Sequence, residues 1–223
     1  MGIQAVFFDL DGTLISHQIQ LKNFIGSQFG KYREWFKETD FVEWENEFMR
    51  LDANGYVTKD IVYKELAAKF PSIRPFEEKL YADFLDNFHY YISPLENMYI
   101  MLYTLKNQGY PLGLITNGGY EIQQKKIDKL SFENIFDVII ISEAVGYEKP
   151  APDIYFLGTQ ALNVNAENCV FIGNHSQNDV LGSKSVGMKT VWMSNRDTWL
   201  SNDFYPDATI SKLDELEEVL QAL

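Results

Sequence analysis

Two aspartates stand two residues apart in the stretch Ala5-Val6-Phe7-Phe8-Asp9-Leu10-Asp11-Gly12-Thr13. The residues before them are apolar or aromatic and read as a buried strand, and Gly12 forces an immediate turn. Two carboxylates on alternate positions at a strand tip repel each other unless a cation lies beside them. Mg²⁺ suits such a place because it takes hard oxygen ligands. A turn whose carboxylates merely cap backbone N–H groups is the other reading of Asp9 and Asp11.

Three later stretches carry the same kind of residue at the end of an apolar run. Gly113-Leu114-Ile115-Thr116-Asn117-Gly118-Gly119 places a hydroxyl and an amide before two glycines and a helix. Such a terminus cradles an anion, or is an ordinary strand-to-helix turn. Lys149 precedes Pro150 on an extended segment. It is placed to neutralise a phosphate and the aspartates, or to be a surface lysine. The run Cys169-Val170-Phe171-Ile172-Gly173 leads into Asn174, His175, Asn178 and Asp179. There the alternatives are a metal-facing acid and a polar loop in which Asp179 caps a helix and His175 makes a local hydrogen bond.

The elements that must position these groups follow from hydrophobic patterning. Runs starting at Ile3, Tyr110, Phe136, Cys169 and Lys189 are short, almost continuously apolar and rich in β-branched residues. That suits strands buried on both faces of a parallel sheet. A weaker strand is expected near Asp207, followed by a short C-terminal helix. Ser93-Pro94-Leu95-Glu96 reads as a capping box with proline at the first helical position, and Leu95, Met98, Leu102 and Leu105 fall on one face. Further helices are expected around Ile122–Leu130, from Pro152, and from Asp179. Strand–helix alternation gives an α/β fold, a Rossmann-like parallel sheet core with right-handed crossovers. Residues 16–92 hold no good strand. Their aromatic-rich amphipathic stretches predict an inserted α-helical bundle. The predicted organisation is a core of residues 1–15 and 93–223 with a helical cap of residues 16–92. The cap's aromatics are read as bundle core, and Arg33, Arg50, Lys59 and Arg74 as solvated surface.

Composition narrows the partners. With 223 residues and 46% hydrophobic content the chain can bury a real core. A formal charge of −13 argues against a nucleic-acid partner. It leaves room for a small anion, since a local positive site outweighs a distant field. No apolar run approaches the ~20 residues of a membrane span. Cys169, the single cysteine, is expected as a buried thiol in a reducing compartment. The N-terminus shows no signal-peptide pattern, so a cytoplasmic protein is expected, as a monomer or small homo-oligomer.

Acid pair, hydroxyl with amide, lysine, then acid, in that order at four strand ends, resembles the haloacid dehalogenase superfamily of phosphohydrolases. The likeness covers the whole α/β part, and the helical insert lies where one subgroup carries a helical cap. The resemblance implies Asp9 as nucleophile and Asp11 as general acid and base. It implies Thr116, Asn117 and Lys149 around the transferring phosphoryl group, with Thr116 and Lys149 also serving catalysis. It implies Mg²⁺ held by Asp9, Asp11 (through its main-chain carbonyl), Asn174 and Asp179. The family usually has an aspartate where this chain has Asn174, which keeps an oxygen but lacks the charge. The expected activity is Mg²⁺-dependent hydrolysis of a small phosphorylated metabolite through an aspartyl-phosphate, with the cap closing as a lid. Two alternatives stand beside it: a 2-haloacid dehalogenase, against which Asp11 argues, and a non-catalytic phosphate-ester-binding protein, suggested by Asn174.

Overall fold

The structure, a computed structural model, describes residues 2–195, 199, 201 and 203–223. Residues 1, 196–198, 200 and 202 fall within the expected core segments and lie outside the described residues. The chain forms two compact units, one of residues 1–15 and 94–223 and one of Ser16–Ser93.

The first unit is a six-stranded sheet. Its strands are β1 (Ala5–Phe8), β2 (Leu112–Thr116), β3 (Val138–Ile141), β4 (Cys169–Gly173), β5 (Lys189–Met193) and β6 (Ala208–Ile210). They lie in the order β3-β2-β1-β4-β5-β6, and every pair is parallel. All four residues of β1 are fully buried, as a strand between two helical layers must be. Successive side chains point to opposite faces. On one face Phe7 joins Ile115, Ile154, Tyr155, Phe171 and Met188. On the other, Phe8 meets Phe136 edge to face at 6.2 Å. Full burial of a ring such as Phe7 stabilises by about 1.5–3 kcal/mol. The packing is close enough that a Cβ at Gly113 would come within 2.2 Å of the Phe7 ring. β1 and β4 are neighbours, and the chain winds outward from them in opposite directions. The crevice beyond their carboxyl ends is therefore the topological switch point, where open α/β sheets bind ligands.

Two expected helix starts are corrected. The Ser93–Glu96 capping box does not form; the helix spans Met98–Asn107, preceded by Asn97 in the left-handed region. Leu95 N–H instead donates to Leu14 O at 2.9 Å, and Pro94 bridges Ile15. That pairing holds the segment extended, so the helix begins only after it. Met98, Met101, Leu102 and Leu105 form its buried face. Asp179 likewise does not open a helix. It lies within a wide helical turn, Ser176–Leu181, whose cap is His175, with Nδ1 accepting from Asn178 N–H at 2.8 Å. A regular turn, Gly182–Ser185, follows.

The second unit is a bundle of four main helices, His17–Lys31, Phe41–Asp52, Lys59–Lys69 and Glu77–Asn87, joined by short helical turns. Its core is aromatic: Phe24, Phe36, Trp44, Phe48, Tyr63 and Phe84 are almost wholly buried. Edge-to-face pairs such as Phe24–Phe84 and Phe48–Tyr63, each at 5.3 Å, are the favoured geometry for rings in contact. Asp40 caps the second helix by accepting from Val42 and Glu43 N–H. Arg33 donates to Lys37 O and Arg50 pairs with Glu47, both at the surface. Arg74 is exposed. Lys59 departs from the expectation of a solvated lysine: its side chain is only 9% exposed, with Nζ 2.5 Å from Asp52. Among the described residues no helix is long and apolar enough to cross a membrane.

Candidate active site

Asp9 follows β1 directly, and its N–H extends the ladder to Ile172 O at 2.9 Å. The strand ladder thus fixes its backbone at the crevice floor. The next residues turn back through Leu10 O, which accepts from Thr13, Leu14 and Ile15 N–H. Gly12 makes the turn at φ +90°, and a Cβ there would lie 2.6 Å from Asn174 Nδ2. Both the conformation and the space exclude a side chain.

The floor is an acid pair sharing one lysine. Lys149 Nζ lies 2.7 Å from Asp9 Oδ1 and 2.7 Å from Asp179 Oδ1, and all three side chains are buried. Thr13 Oγ1 lies 3.0 Å from Asp9 Oδ2 and 3.3 Å from Asn174 Oδ1, so these two oxygens converge on one hydroxyl. His175 N–H donates to Asp179 Oδ2 at 2.9 Å. Asp179 fits against Gly173, where a Cβ would come within 2.3 Å of it.

The electrostatics follow from that count. The Asp9 carboxyl is raised to about 7: burial pushes it up most, Lys149 pulls it back, and the charges of Asp179 and Asp11 add to the rise. Burial alone would depress the Lys149 ammonium, but Asp179 and Asp9 outweigh it and hold its pKa above the usual lysine value. Burial lowers His175, which fits the neutral ring whose Nδ1 accepts a hydrogen bond.

Asp11 stands on separate anchors. Lys126 Nζ approaches its two oxygens at 2.8 and 2.7 Å, and Gln123 Nε2 donates to Oδ2 at 3.0 Å. The same Gln123 nitrogen lies 2.6 Å from Thr116 Oγ1 at the tip of β2. Asn117 sits next to Thr116, but its carboxamide is spent. Nδ2 donates to Lys149 O at 2.9 Å and Oδ1 accepts from Lys149 N–H at 2.8 Å. Its side chain clamps the Lys149 loop, where the resemblance implied a phosphoryl contact.

Asp9, Lys149, Asp179 and Asn174 are thus brought together, and Asp11 is tied to Thr116 through Gln123. Sequence reading missed Thr13, Gln123 and Lys126. Gln123 and Lys126 share the buried side of helix Tyr120–Lys129 with Ile127. Polar residues at i and i+3 on an apolar stripe were the available signal.

Among the described residues no three His, Cys, Asp or Glu side chains cluster as a metal site. The oxygens that do converge are one carboxylate, Asp9 Oδ2, and one amide, Asn174 Oδ1. Mg²⁺ is commonly held by one or two carboxylates, with water and substrate oxygens completing its shell. An Asp9 pushed up by burial and like charge marks a place short of positive charge. The donor chemistry fits Mg²⁺, with less charge than an all-aspartate set. Asp179 faces Lys149 and the His175 N–H with its two oxygens.

A family profile described as haloacid dehalogenase-like hydrolase matches residues 6–193. The chain belongs to this family. The hydrolase is 29% identical to a glyceraldehyde 3-phosphate phosphatase of Pyrococcus furiosus, over 98% of this chain and 93% of that one. It is 27% identical to the pyrimidine 5'-nucleotidase YjjG of Escherichia coli, over 96% of each chain. Among solved structures it resembles YfnB, a HAD hydrolase of Bacillus subtilis bound to magnesium. That likeness has a TM-score of 0.75 at 20% identity and covers 99% of both chains. It shows the shared fold.

Proposed function

We propose that this hydrolase is a phosphatase acting on a small phosphomonoester in the cytoplasm, with Asp9 as nucleophile. The observation that carries the reading is the pair of aspartates held in different ways. Asp9 is buried against Lys149, while Asp11, two residues on, is partly exposed and held by Lys126 and Gln123. One group is placed to attack and the other to exchange protons.

In the first step an Asp9 oxygen attacks phosphorus, the bond to the leaving oxygen breaks, and Asp11 gives that oxygen a proton. In the second, Asp11 takes a proton from water as the water oxygen attacks the same phosphorus, releasing Asp9 and inorganic phosphate. Lys149 offsets charge on Asp9 and the phosphoryl oxygens, and Thr116 offers its hydroxyl to them. Fixed donors of this kind supply most of the rate in phosphoryl transfer. Mg²⁺ would be held by Asp9 and Asn174, with the Asp11 main-chain carbonyl that the family resemblance implies, and would supply positive charge toward the phosphoryl oxygens.

The two curated relatives are named for a triose phosphate and for nucleotides. They support a small phosphorylated metabolite as the class of substrate. The anchored Asp11 favours phosphate over halide as leaving group, since displacement of halide from carbon requires no acid there. Asn174 favours a second reading, a protein that binds phosphate esters without turning them over, because it removes a charge from the metal's surroundings. Turnover of p-nitrophenyl phosphate with and without a chelator separates these readings. Mg²⁺-dependent turnover is the expected result. Metal-independent halide release from a 2-haloacid would identify a dehalogenase, and phosphate-ester binding with no turnover would identify the binder.

A further inference from the structure

The phosphatase reading gives Asp11 two proton transfers, and each requires its carboxyl to be held at a fixed place. Helix Tyr120–Lys129 supplies that restraint from the neighbouring strand's connection. Lys126 brackets both carboxylate oxygens at 2.8 and 2.7 Å. Gln123 Nε2 has two protons and two acceptors, Asp11 Oδ2 at 3.0 Å and Thr116 Oγ1 at 2.6 Å. Gln123 and Lys126 are 2% and 4% exposed, whereas the Asp11 side chain retains 26%. An apolar residue at position 126 would extend the stripe with Ile127 and avoid the cost of burying an ammonium. Because Thr116 accepts from Gln123, its own proton is turned toward another acceptor. Inside the fold that acceptor is the Asn117 carbonyl, at a long 3.4 Å.

We propose that Gln123 and Lys126 are positioning residues that set the Asp11 carboxyl and the Thr116 hydroxyl in one frame, so that a single helix orients both the leaving-group acid and a phosphoryl contact. This rests on the phosphatase reading. Lys126 acts through Asp11, and Gln123 through both Asp11 and Thr116.

The test compares phenyl phosphate with p-nitrophenyl phosphate, which share a shape but differ in how much the departing oxygen depends on a proton. The readout is kcat/KM, which reports steps up to departure of the alcohol. K126M is expected to lose about 10²-fold on phenyl phosphate and less than about tenfold on p-nitrophenyl phosphate. K126R, which keeps two N–H donors for the carboxylate, is expected to recover to within about tenfold of wild type. Q123M is expected to show the same split with a raised KM, and it carries the test alone if K126M does not fold. Equal losses on both esters, no loss, or faster turnover would overturn the inference. If the wild type hydrolyses neither ester, the phosphatase reading itself has failed. If it hydrolyses both and the variants show no split, only the positioning role falls.

Discussion

Buried carboxylates occur in both units, and they are treated in opposite ways. In the helical unit Asp52 accepts from His17 Nε2 at 2.9 Å and Gly55 N–H at 2.8 Å, and pairs with Lys59. Asp83 accepts from Gln28, Lys31, Tyr32 and Asn87. Each is one charge surrounded by donors. In the crevice the acids outnumber the cation between them, with Asp9 and Asp179 sharing Lys149. The consequence shows in proton affinity. Burial raises Asp52, but His17 and Lys59 outweigh it and hold the group below the usual carboxylate range. Burial raises Asp9 to about 7 because one shared lysine does not compensate. A surplus of donors builds structure. A surplus of acid leaves a site that attracts positive charge, at some expense to the metal-free fold, and in the proposed mechanism it supplies the attacking oxygen.

The comparison is broken most severely by Asp9→Asn. Turnover of p-nitrophenyl phosphate should fall at least about 10³-fold, since the attacking oxygen is gone. The melting temperature of the metal-free protein should hold or rise, because a surplus acid has been neutralised. Near-normal activity would mean another group attacks. Asp52→Asn should do the opposite. Removing one partner of a buried pair should cost about 3 kcal/mol in a urea titration, because Lys59 stays buried against a neutral group.

The two aspartates should also carry opposite pH signatures. Asp52 has a folded pKa below its unfolded value of 3.8, so its stabilisation is present above that value and is lost as pH falls through the folded pKa. Asp9 has a folded pKa of about 7, above the same 3.8. Between those values the unfolded state has lost a proton that the folded state keeps. Its contribution to stability therefore declines as pH rises through that window and is constant above it. With metal chelated, the melting-temperature gap between Asp9→Asn and wild type should widen across the window and then level off. A gap independent of pH would show that Asp9 is not in acid surplus. The smallest expected effect is that of Asn174→Asp. The Mg²⁺ concentration for half-maximal activity should drop about tenfold, as one charge is restored near the ion. No change would place residue 174 away from the metal.

Much of this arrangement was legible in the chain. Runs such as Ala5–Phe8 and Cys169–Gly173 are apolar on both faces, so they declare buried parallel strands without tertiary information. The chemistry-bearing residues at their ends follow the sheet. What could not be read depends on contacts between distant segments. The Ser93–Glu96 signal for a helix start was overridden by pairing of Pro94 and Leu95 with Leu14 and Ile15. Asp179 reads as a helix opener, yet Lys149, 30 residues away, draws its carboxylate into the crevice. Lys126 and Gln123 lie 115 and 112 residues from Asp11, and the pairing of β2 with β1 alone brings them near. Lys59 reads as a solvated helix residue until Asp52 folds against it.

The most direct test of the account is to find where the phosphoryl group goes. Wild-type enzyme mixed with radiolabelled phosphomonoester and quenched in acid should carry label on the peptide that contains Asp9, and Asp9→Asn should carry none. Label on any other residue, or turnover with no phosphoryl-enzyme at any quench time, would contradict a nucleophile at the tip of β1.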